Sequence, residues 1–449
     1  MGLFDRLRGD DQPRVAVVGI DGVPYSLLSQ NSDEFETFGA IAEEGTAGAI
    51  DSIIPPDSNA CWPALTTGVN PGETGVYGAI DREIDAYDTY IPMGRDTQAT
   101  RLWTRVHDAG RQATVLNVPV TFPPDRDIQR MVSGFLSPGV DRAAYPDEIR
   151  EYLTDIDYRI DVDAKLGHRD DKSAFLDDAH ETMDKRFEAF EHYIELDDWD
   201  LFFGVFMTPD RVNHFLFEEY EHNGEGHEAF MDFYRKLDGY IGKLRAKLPD
   251  DVTLILVSDH GFTTLSHEVN CNEWLRETGW LDYRTETPDG LDDIGDETRA
   301  YSLIPGRFYL NLAGREPRGT IPETEYEATQ AELKKALLEM TGPDGSSVIK
   351  RVETKESAFR GNHDEIAPDL VAIPHDGFDL KASFNGPDDV FTKTARNGMH
   401  TFEDASLFID HPDAQIQDAD LYDIAPTLLT LLDIDYDRGE FDGATLVRP

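Results

Sequence analysis

Three continuous apolar runs each stop abruptly at a polar residue. Arg14–Asp21 reads Arg14-Val15-Ala16-Val17-Val18-Gly19-Ile20-Asp21, and Asp200–Met207 and Val252–Ser258 have the same character. A run without polar alternation is buried on both faces, which describes a strand inside a parallel sheet rather than one at a solvated surface. Shorter runs at Ala113–Val118, Met131–Phe135 and Ala405–Ile409 extend the pattern. Between Asp200–Met207 and Val252–Ser258, Glu228–Leu248 carries Phe230, Phe233, Leu237, Ile241 and Leu244 at helical spacing. Strands alternating with amphipathic helices predict an α/β fold: a three-layer sandwich with a mostly parallel central sheet and helices on both faces.

Chemistry-bearing residues fall where those runs end. Gly19-Ile20-Asp21-Gly22 closes the first. Met207-Thr208-Pro209-Asp210-Arg211-Val212-Asn213-His214 follows another, with Asp and His four apart. Val257-Ser258-Asp259-His260-Gly261 follows the third, and Asn397-Gly398-Met399-His400 adds a histidine in a polar turn. Ligands in open α/β sheets gather beyond the carboxyl ends of strands, so these segments can converge. Taken singly, an Asp before Gly is a turn residue and an Asp-His pair is a satisfied surface contact. Repetition of the pairing at successive strand ends points instead to metal binding. Mixed Asp and His donors suit zinc, with manganese as the alternative.

Ser58 belongs to a different kind of segment, Ile54-Pro55-Pro56-Asp57-Ser58-Asn59-Ala60-Cys61-Trp62-Pro63-Ala64-Leu65-Thr66-Thr67-Gly68. It stands where a short helix begins. A helix N-terminus favours an alkoxide and a phosphoryl oxygen. The structural alternative is that Ser58 merely caps the helix.

With these segments in place, the chain resembles the alkaline phosphatase superfamily, in particular its type I phosphodiesterase/nucleotide pyrophosphatase branch. The resemblance runs in order from about Val15 to Phe408. The family's nucleophilic Thr or Ser lies ten residues before the glycine of a Thr-Gly pair; here that pair is Thr67-Gly68 and the nucleophile position is Ser58. Val69-Asn70-Pro71-Gly72-Glu73-Thr74-Gly75 matches the following turn. The resemblance implies two divalent metal ions, one held by Asp21, Asp259, His260 and the Ser58 oxygen, the other by Asp210, His214 and His400. It implies hydrolysis of a small-molecule phosphodiester or nucleotide pyrophosphate through a phosphoseryl intermediate on Ser58. A phosphomonoesterase or phosphomutase of the same superfamily is the alternative, with Arg211 and Arg396 as candidate clamps for a dianionic phosphate. A catalytically silent metal-binding relative is the third reading. The sulfatase branch is excluded, because Cys61 lies three residues past the nucleophile position and the Arg expected four residues beyond the cysteine is absent. Nucleotide pyrophosphatases usually carry an Asn three residues after the nucleophile. Here Cys61 stands there, and Asn59 is the nearby substitute.

Domain boundaries follow from composition. Residues 1–12 read as a tail, residues 13–270 and 366–449 as the core, with an acidic helical insertion at about 140–195, and residues 271–365 as an inserted cap. Aspartate and glutamate number 89 against 41 lysines and arginines, a net charge of -48 spread along the whole chain. Such a surface repels nucleic acid polymers and anionic membranes and suits molar salt, where screening is nearly complete. Two cysteines exclude a disulfide framework. The longest apolar runs are too short to span a bilayer, and the first ten residues lack a signal core. The expectation is therefore a halophilic, cytoplasmic protein.

Overall fold

The computed structural model describes residues 12–386 and 389–447; the expected N-terminal tail lies almost wholly outside them. Its main element is an eight-stranded sheet in the order Thr46–Ile50, Ala405–Ile409, Val252–Val257, Arg14–Ile20, Leu201–Phe206, Ala113–Val118, Arg130–Ser133, Ala144–Tyr145. The five central strands run parallel, and the strands toward both edges are antiparallel.

Alternation along each strand separates two cores. Ala16, Val18 and Ile20 face one side, with Phe202, Phe206, Leu254 and Leu256. Val15 and Val17 face the other, with Leu201, Phe203, Val205, Ile255 and Val257. The first side is covered by helices including Ser173–Glu195, Thr208–Glu221 and His227–Arg245, the second by Ser58–Thr67, Leu102–Asp108 and Ile424–Leu431. This is the predicted three-layer arrangement.

The acidic helical segment is more than a peripheral insertion. Helix Ser173–Glu195 buries Phe175, Ala179, Met183, Phe190 and Ile194 against the sheet. Its acidic face dominates the composition, but its apolar stripe recurs at helical spacing and covers strand Leu201–Phe206. The buried Arg186 guanidinium donates to the carbonyl oxygens of Val205, Arg159 and Ile160, tying helix, strand and preceding loop together.

A second unit is built on a four-stranded antiparallel sheet in the order Ala300–Leu303, Arg307–Leu310, Leu370–Pro374, Ile349–Thr354, with helix Tyr326–Leu338 packed on it. Strand Leu370–Pro374, read from the sequence as a return to the main sheet, pairs here instead. An apolar five-residue run is equally at home in either sheet, and only pairing with Arg307–Leu310 and Ile349–Thr354 decides. Buried ion pairs clamp this unit to the segment after the Ser58 helix: Arg307 with Asp81 and Arg82 with Glu316, each at 2.5 Å.

Register sets the position of the site. Gly19 is level with both Val205 and Val257, so Asp21, Met207 to Asp210 and Ser258 to His260 leave the sheet at one edge. A small antiparallel pair, Gly261–Thr264 with Gly398–Thr401, sets Phe262 opposite His400 and folds that histidine back over the same edge. No helix among the described residues is long and apolar enough to cross a membrane.

Candidate metal and nucleophile site

Helix Ser58–Thr67 begins at Asp57, whose carboxylate accepts from the Asn59 amide at 3.0 Å. Asp57, not Ser58, is the cap, and the capping explanation for Ser58 is thereby removed. The helix ends at Gly68, in the left-handed conformation at φ 73° and donating its amide to Ala64. The ten-residue spacing from Ser58 to Gly68 is the length of this helix, which Gly68 terminates.

Ser58 points into the strand-end cluster. Its Oγ donates to Asp21 Oδ1 at 3.4 Å and lies 3.2 Å from His260 Nε2. Asp21 is fully buried and its other oxygen accepts from the Trp62 indole at 2.7 Å. That contact requires Gly19, since a Cβ there would lie 2.5 Å from the Trp62 ring. Gly22, at φ 67°, turns the chain tightly beside Asp210 and donates to Asp259 Oδ1 at 3.2 Å. His260 Nε2 is 3.8 Å from Asp21 Oδ1 and 3.6 Å from Asp259 Oδ2, and that Asp259 oxygen is buried without a hydrogen-bond partner.

A second cluster adjoins the first. Asp210 Oδ1 lies 3.1 Å from His400 Nε2 and 3.4 Å from His214 Nε2, and the two Nε2 atoms are 3.1 Å apart. His260 and His400 stack with ring centroids at 3.7 Å, joining the clusters into one. Asp21, Asp259 and His260 form one triad of converging donor atoms; Asp210 and His400 converge with either His214 or His260.

The protonation pattern tests whether such a set fits cations. The Nδ1 atoms of His214, His260 and His400 face the carbonyl oxygens of Gly398, Gly261 and Pro56 at 3.0 to 3.1 Å. A ring nitrogen facing a carbonyl carries the hydrogen, so each neutral ring turns an Nε2 lone pair inward. Three lone pairs and three buried carboxylates then point at one another, an arrangement that demands positive charge. Burial pushes the Asp21 carboxyl well above the usual range, with Asp259 and Asp210 adding to it. Burial likewise carries Asp259 up to about 7 and His260 down to about 3. Burial also opposes the charged forms of Asp210 and His400, yet His214, His400 and Arg211 together hold Asp210 well below the usual range, and Asp210 raises His400. Divalent cations satisfy this donor set without such protonation.

All seven residues singled out from sequence, Asp21, Ser58, Asp210, His214, Asp259, His260 and His400, therefore meet. Arg211 lines the cavity but is engaged: it lies over the Phe135 ring and is bonded to Asp161 and Asp210 at 2.9 Å each. Cys61 faces the core beside Ser52, whereas Asn59 lines the cavity with Ser58. His267 and His363 do not line that cavity. Sequence reading missed Trp62 as the donor to Asp21, and it missed Lys381, which lines the cavity together with Arg396. Trp62 lies inside the nucleophile helix, and Lys381 ends a four-residue strand, Phe378–Lys381, that no long apolar run announces.

The sequence matches the Type I phosphodiesterase / nucleotide pyrophosphatase family over residues 15–403. It matches none of the curated proteins compared with it. Similar solved structures include a phosphonoacetate hydrolase from Sinorhizobium meliloti 1021 in complex with phosphonoformate, at 16% identity and TM-score 0.62 over 94% of this chain and 96% of that one. Murine ectonucleotide pyrophosphatase/phosphodiesterase 5 aligns at 16% identity and TM-score 0.53, covering 94% and 95%. The human protein of that name aligns at 14% and 0.55, covering 96% and 97%.

Proposed function

Because this chain belongs to the type I phosphodiesterase/nucleotide pyrophosphatase family of the alkaline phosphatase superfamily, and so is a phosphoric ester hydrolase, we propose that Ser58 is its nucleophile and that the six Asp and His residues around it hold two divalent cations. The observation carrying this reading is the placement of Ser58 Oγ 3.2 Å from His260 Nε2 and 3.4 Å from Asp21 Oδ1, with Asp57 relieving it of the capping role.

Asp21, Asp259 and His260 would hold one ion together with Ser58 Oγ, and Asp210, His214 and His400 the other. Zinc suits these mixed donors, with manganese as the alternative. When bound, the ions supply charge neutralisation at the phosphoryl oxygens and lower the pKa of the serine hydroxyl. The helix dipole adds a positive field at the same oxygen. Ser58 Oγ forms the new bond to phosphorus as the ester or anhydride bond breaks, and the leaving group departs with the displaced electron pair. Water then attacks the phosphoseryl group and restores Ser58. Trp62 orients Asp21, and the three main-chain carbonyls orient the histidines.

Of the two candidate clamps for a dianionic phosphate, Arg211 is already bound to two carboxylates, while Arg396 lines the cavity of Ser58 outside any ion pair among the described residues; turnover separates diester from monoester. The acidic surface suits assay in multimolar salt. There, with zinc or manganese supplied, turnover of a nitrophenyl diester is compared with that of the matching monoester, wild type beside Ser58→Ala. The expected result is diester cleavage, reduced in the variant by at least on the order of 10³-fold. Monoester-only turnover supports the phosphatase or mutase alternative. Metal uptake without any turnover supports a silent relative, and full activity in Ser58→Ala removes Ser58 as nucleophile.

A further inference from the structure

Ser58 shares a cavity of about 210 Å³ with three cationic side chains, Arg211, Lys381 and Arg396. Such a concentration stands out in a chain of net charge -48. Arg211 is neutralised by Asp161 and Asp210, and Lys381 pairs with Asp379. Arg396 forms no close ion pair among the described residues, although the Asp379 carboxylate, which lines the same cavity, feels its charge. The cavity wall facing Ser58 comes from the second unit, through the Ile304 to Gly306 turn and strands Leu370–Pro374 and Phe378–Lys381.

Lys381 and Ile304 also line a neighbouring cavity of about 500 Å³. Leu291, Leu303 and Phe384 contribute its apolar lining, while Glu268 and Asp289 add negative charge. A long polyanion is therefore disfavoured there, and a weakly polar body is accommodated. Lys381 is the cation that lines both cavities, and Arg396 lines the one that holds Ser58.

Building on the assignment of Ser58 as nucleophile, we infer that Lys381 and Arg396 form an anion subsite beside the scissile phosphoryl position. The substrate is then a phosphoric ester carrying a second anionic group, carboxylate or phosphate, with its weakly polar body beside Leu291, Leu303 and Phe384. Arg396 offers a planar donor fork that no close ion pair among the described residues occupies, and Lys381 adds charge held in place by Asp379.

The test uses three nitrophenyl phosphodiesters that differ only in the retained alcohol, which ends in a carboxylate, a phosphate or a neutral amide. They are assayed at the lowest salt that preserves the fold, because screening weakens the effect. Wild type is expected to prefer one of the charged probes over the amide by on the order of 10-fold in kcat/KM, carried by KM, as one charge-assisted hydrogen bond implies. Which charged probe leads identifies the group. Arg396→Gln and Lys381→Gln should each bring the ratio toward one, and Arg396→Lys should retain most of it. Equal wild-type turnover of all three probes overturns the subsite while leaving Ser58 as nucleophile; this comparison needs no variant to fold. A preference unchanged in both glutamine variants also overturns it, as does a nitrophenyl monoester, assayed beside the three probes, outpacing every diester, since the cations would then hold the scissile phosphoryl itself. No turnover of any probe removes the nucleophile assignment and the subsite together.

Discussion

His214 and His400 face each other through their Nε2 atoms at 3.1 Å, while both Nδ1 atoms are turned to main-chain carbonyls. Asp210 Oδ1 lies within 3.4 Å of both. Neutral rings in this orientation have no hydrogen to share, so the group must take up either a proton or a metal ion. Metal loading is therefore expected to release protons, seen as an ionisation heat that varies with buffer in titration calorimetry. Affinity should fall as pH drops through about 7, where the Asp259 carboxyl takes up its proton. His400→Ala should reduce metal content from two ions per chain toward one. Unchanged stoichiometry would remove His400 from the ligand set.

Trp62 donates to Asp21 at 2.7 Å from inside the nucleophile helix. Trp62→Phe keeps an aromatic ring against Gly19 but deletes that donor. Metal affinity is expected to fall by roughly 10- to 100-fold, the usual effect of removing a group that orients a ligand. Stability should fall by about 1 kcal/mol. Equilibrium dialysis against a competing chelator measures the first and denaturant unfolding the second. A stability loss with affinity unchanged would mean that Trp62 serves packing alone.

Stability of the chelated protein should decline as pH rises from about 6.5 to 8. Asp21, raised by burial well above the ordinary range, and His400, raised by Asp210 against the effect of burial, carry the slope; Asp259, raised by burial to about 7, has lost most of its contribution by the start of the window. A group with a raised folded-state pKa contributes stability that is fully present below its unfolded value and lost as pH passes through the folded one. Burial lowers His214 and His260, whose unfolded forms still lose protons near pH 6.5, so these two oppose the decline at the lower end of the window and not above it. Each titrating group changes stability by up to about 1.4 kcal/mol per pH unit. Saturating metal should remove the decline, because the ions bind the deprotonated ligands. Thermal melts at pH 6.5 and 8, with and without chelator, check the sign. A flat profile in the chelated protein would contradict the charge assignments.

A net charge of -48 opposes compaction at low ionic strength. Raising potassium chloride from 0.1 to 2 M shortens the Debye length from about 10 Å to under 3 Å. The melting temperature should rise across that range, more steeply than in a variant with ten surface acids changed to their amides. Equal slopes would show that repulsion is not what salt relieves.

Much of the site was legible because its chemistry is local. Asp21, Asp210 and Asp259 announce themselves as polar stops to apolar runs, and parallel register then levels them at one sheet edge. Ser58 was legible through its distance from Gly68, which is a helix length. Whether Ser58 merely capped the helix was undecidable until Asp57 was seen accepting from Asn59.

The sequence alone determined the central strands, the helices over them and the polar residues at the strand ends, since burial periodicity and chain turns act over a few residues. Tertiary structure decided where Leu370–Pro374 pairs, that helix Ser173–Glu195 covers the sheet, that Arg211 is neutralised by Asp161, and that Lys381 and Arg396 share the cavity of Ser58. Those outcomes depend on contacts between segments up to hundreds of residues apart, where strand partners compete and charges find one another only after the chain has closed.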